Sequence, residues 1–127
     1  SMLNIHPGDP VYDLMRVLKE DVLPISLDHS IYDVNRLPGF LDYIEDNTST
    51  YEVMASRYGR NNIRVTKEIT ATLARPDEAH HLHCNTGDTL FLVAKTTYDK
   101  DDHPNHCSFN LMCADRVKMT INYSKNI

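Results

Sequence analysis

The order of patterns along the chain predicts an α+β fold built on a mainly antiparallel sheet. Three observations favour this fold class: several segments alternate between apolar and polar residues, turn-forming residues separate them, and only short stretches have helical spacing. Alternation with a period of two is typical of a strand that buries one face. The 127 residues suit one domain of ordinary size, so residues 1–127 are interpreted as a single unit.

The predicted sheet has five well-defined strands and a sixth, shorter one. The five are Val11–Leu18, Ile25–Tyr32, Ile63–Leu73, Thr89–Tyr98 and Asn105–Cys113, and the sixth is Val117–Tyr123. The first two strands are close enough in sequence to form an antiparallel hairpin. Lys19–Pro24 between them is polar and ends in proline, which predicts a hairpin loop.

Three short segments have helical spacing and are predicted to cover the sheet. They are Asn35–Asp46, a helix that starts at Ser49 and ends at Gly59, and Asp77–Leu82 directly after Pro76. Asn47 is a polar residue just before the second helix and is predicted to help cap its start. Ser49 precedes Glu52 by three residues, so a capping box is available there.

The charge balance argues against direct contact with nucleic acid. The chain carries a net charge of −5, and duplex DNA repels such a chain unless a basic patch is concentrated somewhere. The densest basic cluster, Arg57, Arg60 and Arg64, is thin for that purpose. The sequence has neither a run of apolar residues long enough to span a membrane nor a secretion signal, which favours a cytoplasmic location.

Cysteine and histidine positions leave metal binding as a weak alternative. The chain has three cysteines without a CxxC pair, Cys84, Cys107 and Cys113, and reduced thiols in the core are the favoured interpretation. In the run His80-His81-x-His83-Cys84, three side chains share one side of a helix and have spacing that can bind zinc. No second ligand cluster supports that site, so a polar helix surface is favoured and no metal or cofactor is expected.

Two strands place polar side chains where a binding site is plausible on physical grounds. Arg16 lies on an otherwise apolar strand face, where an unpaired guanidinium is costly, so it pairs either with an anion or with Asp28 on the next strand. The strand Asn105–Cys113 has a polar face formed by His106, Ser108, Asn110 and Met112. Such a face is either solvated or lines a pocket.

Six motifs follow one another and together cover nearly the whole chain: GDPVYDLMR, DVLPISLDHSIY, LPGF, STYEVMASRYG, VTKEITATLARPDEAHHLHCNTGDTLFLVAKTTYDKDDHP and CADRVKM. In this order they resemble the UTRA domain, the effector-sensing domain of the HutC/FarR branch of bacterial GntR-type transcription regulators. The resemblance implies a chorismate-lyase-like fold and a homodimer. It also implies that DNA is bound only through an N-terminal winged-helix domain outside residues 1–127, and that the first part of the sensing domain is truncated.

The resemblance also implies a metabolite site between the sheet and its covering helices. Arg16 matches the first arginine of the family's Arg-x-Arg motif, but Leu18 stands in place of the second. Asp28 stands where relatives usually have a glutamate. The remaining predicted ligand residues are the Ser-x-Tyr pair Ser49 and Tyr51, and His106, Ser108, Asn110 and Met112 on the polar strand face. Ser49 and Tyr51 have an alternative structural role, as N-cap and core aromatic.

His106 and Met112 occupy the two positions at which the family usually has a glutamate and a tyrosine. The ligand is therefore expected to differ from the usual amino sugar phosphate. The expected effector is a small polar or anionic metabolite, with a sugar phosphate as one candidate, and the domain is expected not to be an enzyme. The two alternatives are an enzyme resembling chorismate lyase and a dimerisation module without a ligand.

Overall fold

A computed structural model of the chain describes residues 3–45 and 48–125. Five antiparallel strands form one sheet in the order β1-β2-β5-β4-β3. The strands are β1 Val11–Glu20, β2 Leu23–Asp33, β3 Arg64–Leu73, β4 Thr89–Tyr98 and β5 Pro104–Cys113, and the α-helices are α1 Thr50–Tyr58 and α2 Pro76–Leu82. This architecture confirms the predicted α+β class, and each of the five predicted strands is present within three residues at either end.

The connection between β1 and β2 is shorter than predicted. The segment Lys19–Pro24 was expected to be a hairpin loop, but Lys19 pairs with Pro24 and Glu20 pairs with Leu23. Only Asp21 and Val22 form the turn, and Asp21 has a φ of 53°. Two-residue hairpin turns need left-handed backbone, which aspartate tolerates well. The loop prediction was wrong because polar residues on an exposed hairpin end still form backbone hydrogen bonds.

The two faces of the sheet are covered by different helices. One face, here called the α1 face, carries Leu14 and Tyr32 and packs against Met54 of α1 and Phe40 of a short 3-10 helix, Phe40–Tyr43. The other face, here called the α2 face, packs against α2 through a second cluster, formed by Leu27, Ala74, Ala79, Leu82, Leu90 and Cys113. The sheet is therefore the middle layer of three.

Local capping interactions set the ends of α1. The hydroxyl of Ser49 accepts a hydrogen bond from the backbone N–H of Glu52 at 3.3 Å, as an N-cap does. Gly59 ends the helix with a left-handed φ of 64°, and its N–H donates to the carbonyl of Ala55. Asn47, predicted to add capping material, lies outside the described residues.

The first predicted helical segment, Asn35–Asp46, is mostly irregular. Among its described residues only Phe40–Tyr43 is helical, and it is a 3-10 helix of four residues. Gly39 precedes it with a left-handed φ of 72°, and Pro38 stands before that. Runs of 3-10 helix longer than three to four residues are uncommon because their hydrogen-bond geometry is poor. The apolar spacing of this segment therefore identified Phe40, one of its two buried apolar residues with Leu37, but did not correspond to a full helix.

Both ends of α2 are held by charged side chains. At its start the carboxylate of Glu78 accepts from the backbone N–H of Arg75 at 3.0 Å and from the Arg75 guanidinium at 3.1 Å. At its end the guanidinium of Arg116 donates to the carbonyls of Leu82 and His83. Cations are favourable at a helix C-terminus, where carbonyl groups lack partners.

The sixth predicted strand, Val117–Tyr123, is not a strand in this structure. Among the described residues after Arg116, the backbone has neither helix nor strand. Alternation decides which side chains share a face, but a strand also needs a neighbouring backbone to pair with. Within this chain the segment has no strand beside it, so the prediction was wrong for the isolated chain.

Candidate functional site

A polar patch crosses the middle of the α1 face. The register of the strands places Asp28 between Arg16 and Asn110 in one row of side chains. In the next row Ser108 lies between Ser30 and Lys95. Side chains directly opposite each other on neighbouring strands have Cβ atoms about 4.5–5.5 Å apart. The sheet therefore brings residues that are far apart in sequence into one compact group.

Burial changes the chemistry of this patch. The Ser30 hydroxyl donates to the Asp28 carboxylate at 3.0 Å, and Ser30 and Ser108 are nearly inaccessible to solvent. Burial raises the pKa of Asp28, although the Ser30 hydrogen bond and the charges of Lys95 and Arg16 oppose this shift. The patch thus combines a positive charge and a carboxylate that is easier to protonate than usual.

Two buried oxygen atoms of the patch lack a hydrogen-bond partner among the described residues. They are Oγ of Ser108 and Oδ1 of Asn110, on the same face of β5. Buried polar atoms are nearly always paired, and leaving one unpaired costs about 1–3 kcal/mol. These two unpaired atoms beside Asp28 and Lys95 make this part of the α1 face the candidate site for a polar ligand.

Lys95 is the charged residue of the patch that sequence reasoning missed. Its ammonium group donates to the hydroxyl of Tyr51 and lies 5.0 Å from the centre of that ring. Tyr51, at the start of α1, is 40% exposed and covers the patch from above. Lys95 is the one charged residue of the strand TLFLVAKTTY, and this was the available signal, similar to the one that identified Arg16.

Arg16 lies on the predicted face, and within the chain its partners are backbone carbonyls rather than Asp28. Its guanidinium donates to the carbonyl of Thr48 at 3.2 Å and to the carbonyl of Glu45 at 3.2 Å. Within the described residues no ion pair joins it to Asp28, so the proposed structural pairing of those two residues is wrong. Arg16 instead anchors the segment before α1, and three of its five N–H donors remain for other contacts.

His106 is buried beneath this patch. It is 2% exposed, shares a 2.8 Å hydrogen bond with the Thr97 hydroxyl, and stacks on Tyr32 with ring centres 5.1 Å apart. Tyr51 contacts it edge-on at 5.4 Å. Burial, together with the nearby charge of Lys95, lowers the pKa of His106 to about 3. The imidazole is therefore neutral at pH 7, and the ring of Tyr51 packs against it.

The remaining predicted residues lie at the edges of the patch. Met112 is half-buried on the α1 face between Ser26 and Phe91. The Ser49 hydroxyl is occupied as the N-cap of α1, as its alternative role predicted. Of the eight predicted residues, the structure brings Asp28, Ser108 and Asn110 closest together, and it places Arg16, Tyr51 and His106 around them.

A separate groove of about 560 Å³ lies on the α2 face. Apolar side chains such as Leu27, Leu92 and Phe109 form much of its wall, and charged residues at the start of α2 form one rim. None of the eight predicted residues lines it. The α1 face carries the buried charge and the unpaired polar atoms, so the polar patch there is the better candidate site.

The histidine-rich run does not assemble a metal site in the described part of the chain. Those residues contain no group of three or more histidine, cysteine or acidic side chains arranged to hold a metal ion. His81 instead hydrogen-bonds to the carbonyl of Asp77 at 2.8 Å, one turn earlier in α2. The three cysteines are free thiols, and burial together with the neighbouring Cys84 thiol raises the pKa of Cys113 to about 11.

Comparison with known proteins identifies the family. Residues 1–118 match the family described as the UTRA domain. The chain belongs to the UTRA domain family. It is 33% identical over 120 residues to the uncharacterized HTH-type transcriptional regulator YurK of Bacillus subtilis, covering 94% of this chain and 50% of that protein. It is 30% identical over 124 residues to the probable fructoselysine utilization operon transcriptional repressor of Escherichia coli, covering 98% and 51%.

Solved structures of UTRA relatives share the fold closely. The C-terminal domain of Yurk from Bacillus subtilis superposes with a TM-score of 0.92 at 33% identity, covering 96% of this chain and 84% of that one. PhnF from Mycobacterium smegmatis gives a TM-score of 0.90 at 28% identity, covering 98% and 55%. These relatives are GntR-family transcription regulators, which supports a regulatory rather than an enzymatic domain.

The UTRA chain spans about half the length of the curated relatives that it matches. Within the described ranges, no helix is both long and apolar enough to cross a membrane.

Proposed function

We propose that this UTRA domain senses a small polar or anionic metabolite on its α1 face and passes that signal to a separate winged-helix domain that binds DNA. The proposal includes a homodimer, because an operator with twofold symmetry is bound by a symmetric pair of subunits. It rests on membership of the UTRA family together with the composition of the polar patch.

The observation that carries the proposal is the pair of unpaired buried oxygens, Ser108 Oγ and Asn110 Oδ1. A hydroxyl and an amide oxygen accept hydrogen bonds from the hydroxyl or amino groups of a polar ligand, and the Ser108 hydroxyl also donates. The Asp28 carboxylate beside them accepts two more. This set of groups suits a molecule with several hydroxyl groups.

The charges of the patch limit the anionic part of the ligand. Lys95 and Arg16 supply two positive charges, and Asp28 supplies a carboxyl group whose pKa is raised by burial. Leu18 stands where the family pattern has a second arginine. We infer that a ligand with one anionic group, either a carboxylate or a phosphate monoester on a sugar, fits better than a ligand with several.

Calorimetry with defined probes tests this function. The probes are inorganic phosphate, glucose 6-phosphate, gluconate and fructoselysine, the last because one relative is named for its utilization operon. At least one hydroxylated anion should bind the parent chain, and Ser108→Ala and Asn110→Ala should each weaken its binding by roughly 5–100-fold, which corresponds to about 1–3 kcal/mol for a lost buried hydrogen bond.

A matched control separates the patch from a general effect on the fold. Thr70→Ala changes an exposed side chain on the α2 face of β3 and should leave the affinity unchanged. If Ser108→Ala and Asn110→Ala bind every probe as tightly as the parent, the polar patch is not the effector site.

A further inference from the structure

Two of the three cysteines lie side by side beneath α2. Cys113, the last residue of β5, is 2% exposed and belongs to the apolar cluster on the α2 face. Cys84 follows α2 by two residues and packs against the same cluster. The two thiol groups lie within hydrogen-bond distance of each other. Two thiols that are far apart in sequence are therefore in contact in the folded chain.

Arg116 holds together the two backbone segments that carry these cysteines. Its N–H donates to the carbonyl of Cys113 at 3.1 Å, in the turn directly after β5. Its guanidinium donates to the carbonyl of His83, the residue before Cys84, at 2.6 Å, and also to the carbonyl of Leu82. A disulfide requires that the two backbones approach closely, with Cα atoms within about 7 Å. The contact of the two thiols is thus supported by the backbone as well as by the side chains.

The turn that carries Cys84 is also fixed to α2. The N–H of Cys84 donates to the carbonyl of Ala79 at 3.0 Å, and His83 ends the helix with a left-handed φ of 51°. Hydrogen bonds of this kind close the C-terminal end of a helix and set the path of the next residues. Cys84 therefore has a defined position opposite the end of β5.

The two thiols differ in their access to solvent. Cys84 is half-buried, whereas Cys113 is buried. Burial and the neighbouring Cys84 thiol raise the pKa of Cys113 to about 11, so at pH 7 Cys113 is almost entirely protonated and is a poor nucleophile. Cys84 is therefore the thiol that meets a dissolved oxidant first, and Cys113 is placed to react second.

We propose that Cys84 and Cys113 are a modification site, at which hydrogen peroxide produces a reversible disulfide within one chain. The Cys84 sulfur attacks the peroxide, the O–O bond breaks, and the products are a Cys84 sulfenic acid and water. The Cys113 sulfur then attacks the Cys84 sulfur, the S–O bond breaks, and the hydroxyl group leaves as a second water with the Cys113 proton. The two thiols lose two electrons and two protons, and the peroxide is reduced to two molecules of water.

The disulfide joins the end of α2 to the end of β5 and closes a loop of about 30 residues that contains β4 and β5. A cross-link of this length restricts the unfolded chain, so the Tm of the oxidised chain should rise by about 5–15 °C. The thiols touch in the reduced fold, so the bond forms without rearrangement of the backbone. The site lies on the opposite face of the sheet from the polar patch, and the proposal does not depend on the identity of the effector.

Mass spectrometry after alkylation measures the bond. The chain is treated with hydrogen peroxide, the peroxide is removed with catalase, and free thiols are alkylated in denaturant. The oxidised parent should be alkylated at Cys107 alone, and at all three cysteines after dithiothreitol. The matched control Cys107→Ala removes a buried thiol elsewhere on β5 and should still form the disulfide.

Two variants separate the steps of the reaction. Cys113→Ala should retain the Cys84 sulfenic acid, which dimedone labels, whereas Cys84→Ser should be alkylated at both remaining cysteines. Circular dichroism confirms that each variant is folded, and if Cys113→Ala does not fold, Cys84→Ser and Cys107→Ala still decide the result.

Three outcomes overturn the inference. The first is a parent chain that keeps three free thiols or accumulates only the sulfinic acid of Cys84. The second is a disulfide that includes Cys107 or joins two chains. The third is a disulfide between Cys84 and Cys113 that lowers the Tm, because the folded chain then does not accommodate the bond.

Discussion

Lys95 and Arg16 bring two positive charges to one face of the sheet, but their surroundings differ. Arg16 is held by the carbonyls of Thr48 and Glu45, whereas the contacts of the Lys95 ammonium are the hydroxyl and ring of Tyr51. A tyrosine hydroxyl is a neutral hydrogen-bond partner and does not compensate the lysine charge, which the nearby Asp28 carboxylate compensates in part. Lys95 is thus better placed than Arg16 to bind the anionic group.

Replacing Lys95 by methionine should therefore weaken the binding of a hydroxylated anion. The expected loss is about 1.5–3 kcal/mol, roughly 10–100-fold, because the lost contact is a charge-assisted hydrogen bond. Lys67→Met is the matched control, since Lys67 is the neighbour of Lys95 on the exposed strand β3. Calorimetry that gives equal affinities for Lys95→Met and Lys67→Met would contradict this role.

Arg16→Ala should have a mixed effect, because Arg16 both faces the patch and anchors the segment before α1. We expect a loss of binding free energy of roughly 2–4 kcal/mol if the guanidinium also contacts the ligand. Arg16→Lys retains the charge but lacks the forked geometry. If the two variants keep the parental affinity in calorimetry, Arg16 serves only the fold.

His106 should make the folded chain less stable in mild acid. Its pKa is about 3 in the folded chain and about 6.5 in the unfolded chain, so between these values only the unfolded chain takes up the proton. The free energy of unfolding is therefore highest above about pH 6.5, where His106 is neutral in both states, and it decreases as the pH falls. Between pH 7.5 and 5 the loss should be roughly 2 kcal/mol.

Urea unfolding at both pH values measures this difference. His106→Gln lacks the titrating group, so its free energy of unfolding should fall less than that of the parent over the same interval. Asp28 titrates with the opposite sign, because a raised pKa favours the folded state in acid, and it is present in both chains. Equal losses for parent and variant would show that His106 does not resist protonation.

Among the elements, strands were predicted more reliably than their connections. Alternation located β5, because a half-buried strand has to keep one apolar face, and a high content of β-forming residues located β4. The same pattern in Val117–Tyr123 did not give a strand, since pairing depends on a neighbour that no local pattern encodes. The turn at Asp21 was missed because hairpin closure depends on backbone geometry rather than on polarity.

The candidate site was predicted in part for the same reason. The polar face of β5 and the lone Arg16 on β1 could be recognised within single strands. Which strands lie next to each other was not available, so the grouping of Asp28 and Lys95 around Ser108 required the strand order. The partners of Arg16 lie in the segment before α1, which has no sequence signal for such a contact.

The guanidinium of Arg116 stabilises the C-terminal end of α2. Arg116→Gln removes the charge that binds the last carbonyls of this helix, and the free energy of unfolding should fall by about 1–3 kcal/mol. Lys19→Gln, on an exposed part of β1, is a control of equal charge change and should lie within about 0.5 kcal/mol of the parent. Urea unfolding at pH 7 compares them.

The arginine side chains of the basic cluster Arg57, Arg60 and Arg64 are engaged within the fold. Arg60 lies 3.9 Å from the Asp99 carboxylate, and Arg64 lies 2.6 Å from that of Asp102. The guanidinium of Arg57 lies over the ring of Tyr43 at 4.4 Å. The basic cluster seen in the sequence is therefore paired or dispersed, and it does not form a free positive surface.

Residues 1–127 alone should therefore not bind duplex DNA. The net charge of −5 repels the phosphate backbone, and phosphate contacts provide nearly all of the non-specific affinity of DNA-binding proteins. Fluorescence anisotropy of a labelled duplex should stay constant up to 50 µM protein at low salt, while a lysine-rich peptide binds the same duplex as a positive control. Binding that weakens steeply as salt is added would refute the prediction, because that dependence is the signature of counterion release from phosphates. It would also place a DNA contact on this domain, rather than on the separate winged-helix domain that the proposed function requires.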